Sequence, residues 1–424
     1  MASLSSKAEL NPELKSFFSG ISESVKGGLA KMKQSSPDDP TKFPIWGLLI
    51  ILVVIVGLMI WYFKRLALFE NAVNIRKLAK SSTEAQADYD ASNPNRVGIR
   101  QYLGELKKQK VPDTHLCLTN FYVSTVNAAG VFFPAEDGVV SPMAARAAVL
   151  AGARCFVLDI WPDLSPDAQF GPSIQVVESG SLWRRISMNS LPFVSILKAL
   201  VQEAFETEAR PGASDPLFLY LRFRGKPRAS TYSATANALR AVIEQYRLDP
   251  SYNTCRGQDS IFTSPITSLF KKVVILSNTK AQGNILSDYI NVGPKDGIKM
   301  EWGLSEARGL STEAKADAIR KVQQNLTFVA PLSETPDAEN NAWDFAVSQS
   351  IGIHFCALNF WNRNDKWKAY MDPAMFGKQS FLLKPLPLRY VIEVLPNPKY
   401  PENPGWGTGT NAGKPTEPPA IKLP

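Results

Sequence analysis

The chain has 424 residues, enough for one large domain of about 250 to 300 residues with appendages, or for two domains of ordinary size. Its content of 45% hydrophobic and 20% charged residues is typical of a globular protein. The formal net charge is +8, but no basic stretch is interleaved with aromatic residues in a stacking pattern, so we predict no nucleic-acid partner.

Residues 1–43 form a leader in which apolar residues recur at three- and four-residue steps from Phe17 to Met32, with lysines between them. This periodicity predicts an amphipathic helix that lies on a membrane or on a partner protein. A partly disordered leader is an equal alternative, because Gly27 and Gly28 are adjacent and residues 35–42 are polar.

Residues 44–63 contain no charged side chain. As a helix they would rise about 30 Å, which is the thickness of the hydrocarbon core of a bilayer. Trp46, Trp61 and Tyr62 lie near the two ends, where interfacial aromatic residues are expected. We therefore predict a single transmembrane helix and a single-pass membrane protein, with the lipid bilayer as its partner through this segment.

The large domain that follows is predicted to lie on the cytoplasmic side. Lys64 and Arg65 directly follow the span, although basic residues flank both of its ends. These juxtamembrane cations also make anionic lipids candidate partners. Four scattered cysteines fit neither a disulfide framework nor a metal site, and we expect them to be reduced. They are Cys117, Cys155, Cys255 and Cys356.

Two further flanking segments are predicted. Residues 64–110 combine a helix-compatible stretch with a polar linker. Residues 395–424 are rich in proline and glycine, a composition that forms neither helix nor sheet and favours an extended tail. We expect protein partners to bind through the leader and this tail.

Between these flanks, residues 111–394 alternate apolar runs with helical patterns, which predicts an α/β protein with a parallel sheet closed as a barrel. The strand candidates are Leu116–Val126, Cys155–Trp161, Ile174–Val177, Leu217–Phe223, Val273–Ser277, Phe355–Phe360 and Phe381–Leu383. The helix candidates are Pro142–Leu150, Leu191–Phe205, Ser233–Tyr246 and Thr312–Asn325.

Four motifs within this region occur in a characteristic order. Gly152–Trp161 reads GARCFVLDIW and carries one carboxylate, Asp159, near its C-terminal end. The others are Ser264–Ile275, Gly352–Phe360 and Phe381–Pro385, the last reading FLLKP. Together they resemble the X and Y regions of phosphoinositide-specific phospholipase C. The resemblance covers about Leu116 to Arg389 and implies a TIM-type (β/α) barrel of the phospholipase C-like phosphodiesterase kind.

The resemblance implies two histidines for general acid-base catalysis, and a calcium ion held by an asparagine, two glutamates and an aspartate. In this chain the first histidine falls on Val126, with the asparagine kept as Asn127. A slip of one residue would instead place Asn127 at the histidine. The first glutamate is replaced by Val157, whereas the aspartate is kept as Asp159.

The remaining positions are also changed. Glu178 stands at the second histidine, and Arg222 stands at the last glutamate, where its permanent positive charge would repel a cation. We therefore expect calcium to be lost, no other cofactor or metal to be bound, and no catalytic position to be functional. Instead, Arg222 and Asp159 are expected to form a charge-assisted pair in place of the ion.

The substrate-contacting positions implied by the resemblance are altered as well. The substrate lysines fall on Leu276 and Asn278, although Lys280 can substitute in a shifted register, and the tyrosine that packs on the inositol ring is Phe381. Neither of the two histidines of the chain falls on a catalytic position. We expect His354 to lie in the core and His115 to face solvent.

Three functional hypotheses follow. The first is a membrane-anchored, catalytically inactive phospholipase C-like barrel that acts as a structural, scaffolding or interaction protein. The second is a non-catalytic module that binds a phosphoinositide or another anionic headgroup, with ligand contacts from Asp159, Arg222, Lys280 and Phe381. The third is an atypical active phosphodiesterase that uses Asp159 and Glu178 as an acid-base pair.

Overall fold

The computed structural model describes a large part of the chain, which divides into two compact units, Met1–Lys77 and Leu78–Pro424. The described residues are 52–62, 96–127, 131–132, 139–162, 172–174, 190–206, 210–254, 260–294, 300–302, 304–329, 345–360 and 364–391. The predicted leader, the linker up to residue 95, Glu178, Cys255 and the Pro/Gly-rich tail lie outside them.

The described part of the first unit is one helix, α1, at residues 52–62. Its apolar side chains are mostly exposed, with Leu52 and Leu58 each more than half accessible. Among the described residues, no helix is both long and apolar enough to cross a membrane. The helix falls inside the predicted span of 44–63, the rest of which is not described, so the transmembrane helix stays a prediction.

The described strands of the second unit form one large sheet and one short hairpin. In chain order they are β1 Phe121–Val126, β2 Val131–Phe132, β3 Val139–Val140, β4 Cys155–Trp161, β5 Ser173–Ile174, β6 Leu191–Pro192, β7 Leu217–Phe223, β8 Val273–Ser277, β9 Glu301–Trp302, β10 Phe328–Val329, β11 Phe355–Leu358 and β12 Phe381–Leu383. β2 and β3 pair only with each other.

The core of the large sheet is parallel, in the order β9-β10-β11-β1-β4-β7-β8. A parallel bridge from Leu276 to Val292 adds a strand position after β8. Parallel strands that follow one another in the chain are therefore also adjacent in the sheet over eight positions, which is the arrangement of a (β/α) barrel. Within the described residues no backbone pairing joins Val292 to β9. The predicted α/β class and parallel sheet are confirmed.

Helices follow most of these strands. They are α2 Ile99–Lys108, α3 Pro142–Leu150, α4 Phe193–Val201, α5 Ala229–Ile243, α6 Ser260–Thr263, α7 Leu304–Arg308, α8 Thr312–Gln323, α9 Phe345–Ile351 and α10 Asp365–Tyr370. The predicted bounds of α3 are confirmed. The helix begins at Pro142 because Ser141 caps it by accepting from the Met143 N–H and because proline is favourable in the first turn.

The longest apolar runs were predicted with the correct bounds, whereas five short strands were missed. β4, β7 and β8 match their predictions, but β2, β3, β6, β9 and β10 have only two residues each and carry no periodic signal. The start of the first candidate, residues 118–120, forms a 3-10 turn. The Phe381–Leu383 segment is a strand, but it runs antiparallel to β1.

α2 was not predicted, and it extends the barrel unit upstream of the expected boundary at residue 111. Its backbone begins with a bond from the Ile99 N–H to the buried carboxylate of Asp215. Just before it, Arg96 packs so closely on Gly152 (φ +93°) that any side chain there would overlap the guanidinium. The folded unit therefore includes the chain from Arg96, and residues 96–110 are not a linker.

The interior of the barrel is an aromatic stack. The rings of Tyr220 and Phe328 lie 4.3 Å apart, and those of Phe328 and Phe355 lie 4.4 Å apart. Phe218 and Phe381 extend this cluster. Offset aromatic pairs of this kind stabilise a core beyond the area that they bury. The centre of the barrel is thus filled by side chains.

A buried lysine lies at the amino-terminal end of the barrel. Lys384 is fully buried, its Nζ lies 2.8 Å from Nε2 of His354, and no described carboxylate pairs with it. The Thr327 N–H donates to Nδ1 of His354, which leaves the ring proton on Nε2. Nε2 faces both Nζ and the Thr119 carbonyl. Burial lowers the pKa of Lys384 well below its usual value, which favours the uncharged amine that can accept this bond.

This contact predicts that Lys384 makes folding stability depend on pH. The amine is neutral when folded and takes up a proton on unfolding, so the free energy of unfolding should rise with pH up to about pH 10, by at most about 1.4 kcal/mol per pH unit. Lys384→Met should be more stable than the wild type at pH 7 and should lose this slope. Urea denaturation between pH 6 and pH 10 measures both.

Lys108→Met, which removes an exposed lysine of α2, is the matched control and should keep the wild-type slope. Equal slopes for the wild type and Lys384→Met would mean that Lys384 is charged in the folded protein.

Candidate functional site

Four polar side chains meet at the carboxyl ends of the barrel strands. Asn127 follows β1, Asp159 lies near the end of β4, Arg222 near the end of β7, and Glu301 in β9. Asp159 and Arg222 are direct register partners in the β4–β7 ladder. Side chains two residues apart share a face of a strand, so both continue the inward-facing rows of Val157 and Tyr220.

Arg222 is the centre of this group and is 7% exposed. Its Nε and Nη2 donate to the two carboxylate oxygens of Asp159 at 2.6 and 2.9 Å, which is a bidentate pair. Nη1 donates to Oε1 of Glu301 at 2.8 Å, and Nη2 lies 3.5 Å from Oδ1 of Asn127. The predicted salt bridge between Arg222 and Asp159 is confirmed.

A second arginine supports the same carboxylate. Nε of Arg224 donates to Oδ1 of Asp159 at 2.8 Å, and the backbone N–H of Arg224 binds the carbonyl of Ile160. On the other side, the Tyr220 hydroxyl donates to Oε2 of Glu301 at 3.3 Å. Two arginines and two carboxylates therefore form one connected network of balanced charge.

These contacts set the protonation states of the network. Burial alone would raise the pKa of Asp159, but Arg222 and then Arg224 lower it to about 2. Burial would likewise lower the pKa of Arg222, but Asp159 and Glu301 raise it above its usual value. At neutral pH Asp159 is an anion whose oxygens already accept charged hydrogen bonds, which makes it a very weak base.

Calcium, which the resemblance implies at this end of the barrel, does not fit these residues. A calcium ion needs six to eight oxygen ligands with an excess of negative charge. Here both oxygens of Asp159 and one of Glu301 bind guanidinium groups, and Arg222 brings its positive charge between the two carboxylates. The described residues contain no group of three or more His, Cys, Asp or Glu side chains suited to a metal.

The other predicted site residues are dispersed. Val126 and Val157 are buried and apolar. Lys280 is half-buried after β8, and its role as a ligand contact stays a prediction. Phe381 is not part of the polar centre. It is 1% exposed and is the partner of Val123 in the β1–β12 ladder, and its side chain packs in the aromatic stack. Glu178 lies outside the described residues.

The two histidines lie away from this centre. His354 is buried at the opposite end of the barrel beside Lys384, as expected for a core residue. His115 is half-buried rather than fully exposed, and its Nδ1 lies 3.5 Å from Nη1 of Arg389.

Glu301 and Arg224 were missed by the sequence analysis. Glu301 lies in a two-residue strand between undescribed and polar segments, and nothing in its neighbours marks an inward direction. Arg224 follows β7 directly, and its spacing of two from Arg222 is the signal that could have placed it on the same face.

Comparisons with known proteins return structures of phospholipase C enzymes at low identity. PLC21 of L. pealei is 15% identical, with a TM-score of 0.47, and the match covers 66% of this chain and 39% of PLC21. A calcium-dependent phosphoinositol-specific phospholipase C from Pseudomonas sp. is 12% identical, with a TM-score of 0.42, and the match covers 64% of this chain and 97% of that one. The phosphatidylinositol-specific phospholipase C of Listeria monocytogenes is 11% identical, with a TM-score of 0.37, and the match covers 61% of this chain and 93% of that one. The sequence matches no protein-family model and no curated protein.

The network predicts strong energetic coupling between Arg222 and Asp159. Arg222→Met leaves two carboxylates without their shared cation, and we expect it to lower the free energy of unfolding by about 2 to 4 kcal/mol. Asp159→Asn should have a similar effect, and the double variant should cost clearly less than the sum. Urea denaturation of the four proteins measures the coupling.

The exposed pair of Lys368 and Asp365 is the matched control, and its coupling should be about 0.5 kcal/mol or less. Because the pKa of Asp159 is lowered, its contribution is present above about pH 4 and is lost as the pH falls towards 2. Additive effects of the two single substitutions would contradict the coupling.

Proposed function

We propose that this protein is a membrane-anchored, catalytically inactive barrel of the phospholipase C-like kind, which acts as a structural or interaction protein. The observation that carries the proposal is the Arg222 guanidinium, which is bound between Asp159 and Glu301 where the resemblance implies a calcium ion. A cation fixed in the chain cannot coordinate a substrate phosphate through vacant positions as a metal ion does.

The chemistry of the remaining groups supports the loss of catalysis. Cleavage of a phosphodiester needs a general base and a general acid whose pKa values lie near the working pH. The pKa of Asp159 is about 2, and both described histidines are remote from the strand ends that hold the polar centre. Asp159 is therefore a structural anion, which argues against the hypothesis that it works as an acid-base partner of Glu178.

The bonding of Arg222 also argues against the headgroup-binding hypothesis. Nε donates to Asp159, Nη2 to Asp159 and Asn127, and Nη1 to Glu301. A phosphate would have to displace a bidentate carboxylate from a nearly buried guanidinium. Because the displaced carboxylate would then be left with Arg224 alone, anion binding at this centre has a large opposing cost.

The test of this proposal is an assay for inositol phosphate release by the full chain on phosphatidylinositol vesicles, with and without calcium. We expect no release above background, and we expect millimolar calcium to leave the thermal midpoint of unfolding unchanged. A calcium-dependent phospholipase C assayed in parallel validates the vesicles. Calcium-dependent release that disappears in Asp159→Asn would contradict the proposal.

Arg222→Glu provides a gain-of-function control for the role of the guanidinium. The new carboxylate would join Asn127, Asp159 and Glu301, which together supply the hard oxygen ligands that calcium prefers. We expect this variant, but neither Arg222→Met nor the wild type, to be stabilised by calcium, by about 2.7 kcal/mol at 100 times the dissociation constant. Calorimetric calcium titration of the three proteins gives the same comparison directly.

A further inference from the structure

α2 covers the amino-terminal end of the barrel with its apolar side. Ile99, Tyr102, Leu103 and Leu106 are buried in the interior cluster, at helical steps of three and four. The Tyr102 hydroxyl accepts from the N–H of Leu383, at the end of β12. Asp215, which binds the first turn of α2, comes directly before β7. The helix therefore lies at the end of the barrel opposite Arg222.

The outward side of α2 is basic. Its exposed positions are Arg100, Gln101, Gly104, Lys107 and Lys108, which recur along one face of the helix and include no acidic residue. Lys110 is exposed just beyond the helix. The guanidinium of Arg100 lies 4.9 Å from the ring of Phe270, and the turn after that ring carries Lys271 and Lys272. We call α2 with residues 270–272 the basic face.

This part of the chain carries more positive than negative charge. Between residues 98 and 113 the sequence has four basic and two acidic residues, and Asp113 forms an exposed salt bridge with Lys107. Exposed ion pairs contribute little, and long lysine side chains rearrange readily towards another anion. At the opposite end, Arg222 and Arg224 are balanced by Asp159 and Glu301, and the loop after β7 exposes two further cations, Lys226 and Arg228, fewer than residues 98–113 expose.

We propose that the basic face binds anionic lipid headgroups, so that the amino-terminal end of the barrel faces the membrane and the Arg222 centre faces the aqueous phase. Clustered lysine and arginine near a bilayer attract anionic lipids, and the attraction grows with the number of cations in the cluster. The proposal concerns a different surface from the polar centre and does not depend on whether that centre is catalytic.

The segment before the barrel unit is long enough that it does not fix this orientation, so the orientation depends on surface charge. Residues 64–95 separate the predicted membrane span from Arg96, and 32 residues reach at most about 110 Å. Such a tether would allow either end of a barrel to meet the bilayer. The preferred end is then set by the interaction of each surface with the headgroups.

The orientation can be measured by energy transfer from a dye on the full chain to acceptor-labelled lipids in nanodiscs. Gly104→Cys places the dye on the exposed side of α2, where a side chain meets no neighbour, and Met143→Cys places it at the start of α3, at the other end. We expect more transfer from position 104 than from 143 when the nanodiscs contain about 30% phosphatidylserine. In neutral lipid or 0.5 M salt the difference should vanish.

Charge variants test which residues are responsible. Lys107→Gln combined with Lys108→Gln should weaken the preference by about fivefold for each residue. Lys366→Gln combined with Lys368→Gln, which removes the same charge from α10, should leave it unchanged. Transfer that is equal from the two sites, greater from 143, or independent of lipid charge would overturn the proposal. A failure of the predicted anchor is distinguishable, because the chain would then not associate with neutral nanodiscs.

Discussion

The guanidinium of Arg222 connects parts of the barrel that the backbone does not connect. Among the described residues, the parallel path runs from β9 to β8, and the bridge from Leu276 to Val292 extends it by one position. No described backbone pairing then joins Val292 to β9 and closes the sheet. Arg222 and Tyr220, both on β7 beside β8, bind Glu301 on β9. The carboxyl end of the barrel is therefore closed by side chains around one buried cation, whose removal would leave anions without a partner.

The barrel interior changes chemistry from one end to the other. Arg222 and its carboxylates lie at the carboxyl end, the stacked rings of Tyr220, Phe328 and Phe355 fill the middle, and Lys384 with His354 lies beyond them. The two buried basic side chains are accommodated in different ways. Contact with anions keeps Arg222 charged, whereas burial lowers the pKa of Lys384 and favours its neutral form. Each solution avoids an isolated buried charge.

The sequence predicted the parts of this arrangement that depend on continuous strands. β4 and β7 are long apolar runs, so the pattern placed Asp159 and Arg222 near the strand ends, and the resemblance, which puts both at one metal site, predicted their contact. Glu301 could not be predicted, because its inward direction depends on how distant strands close the barrel. Phe381 was assigned to the site because the resemblance places there the tyrosine that packs on the inositol ring; its antiparallel pairing with β1, which a three-residue run does not reveal, places it in the core.

Arg222, which stands where the resemblance implies a calcium ligand, has an electrostatic consequence for the polar centre. A calcium site without its ion is a cluster of negative charge that would repel an anionic membrane, whereas the pairs Arg222–Asp159 and Arg222–Glu301, with Arg224, leave no net charge within the polar centre. The described loop after β7 exposes two cations, Lys226 and Arg228, whereas residues 98–113 at the amino-terminal end expose four: Arg100, Lys107, Lys108 and Lys110. The amino-terminal end therefore carries the larger of these two groups of exposed cations.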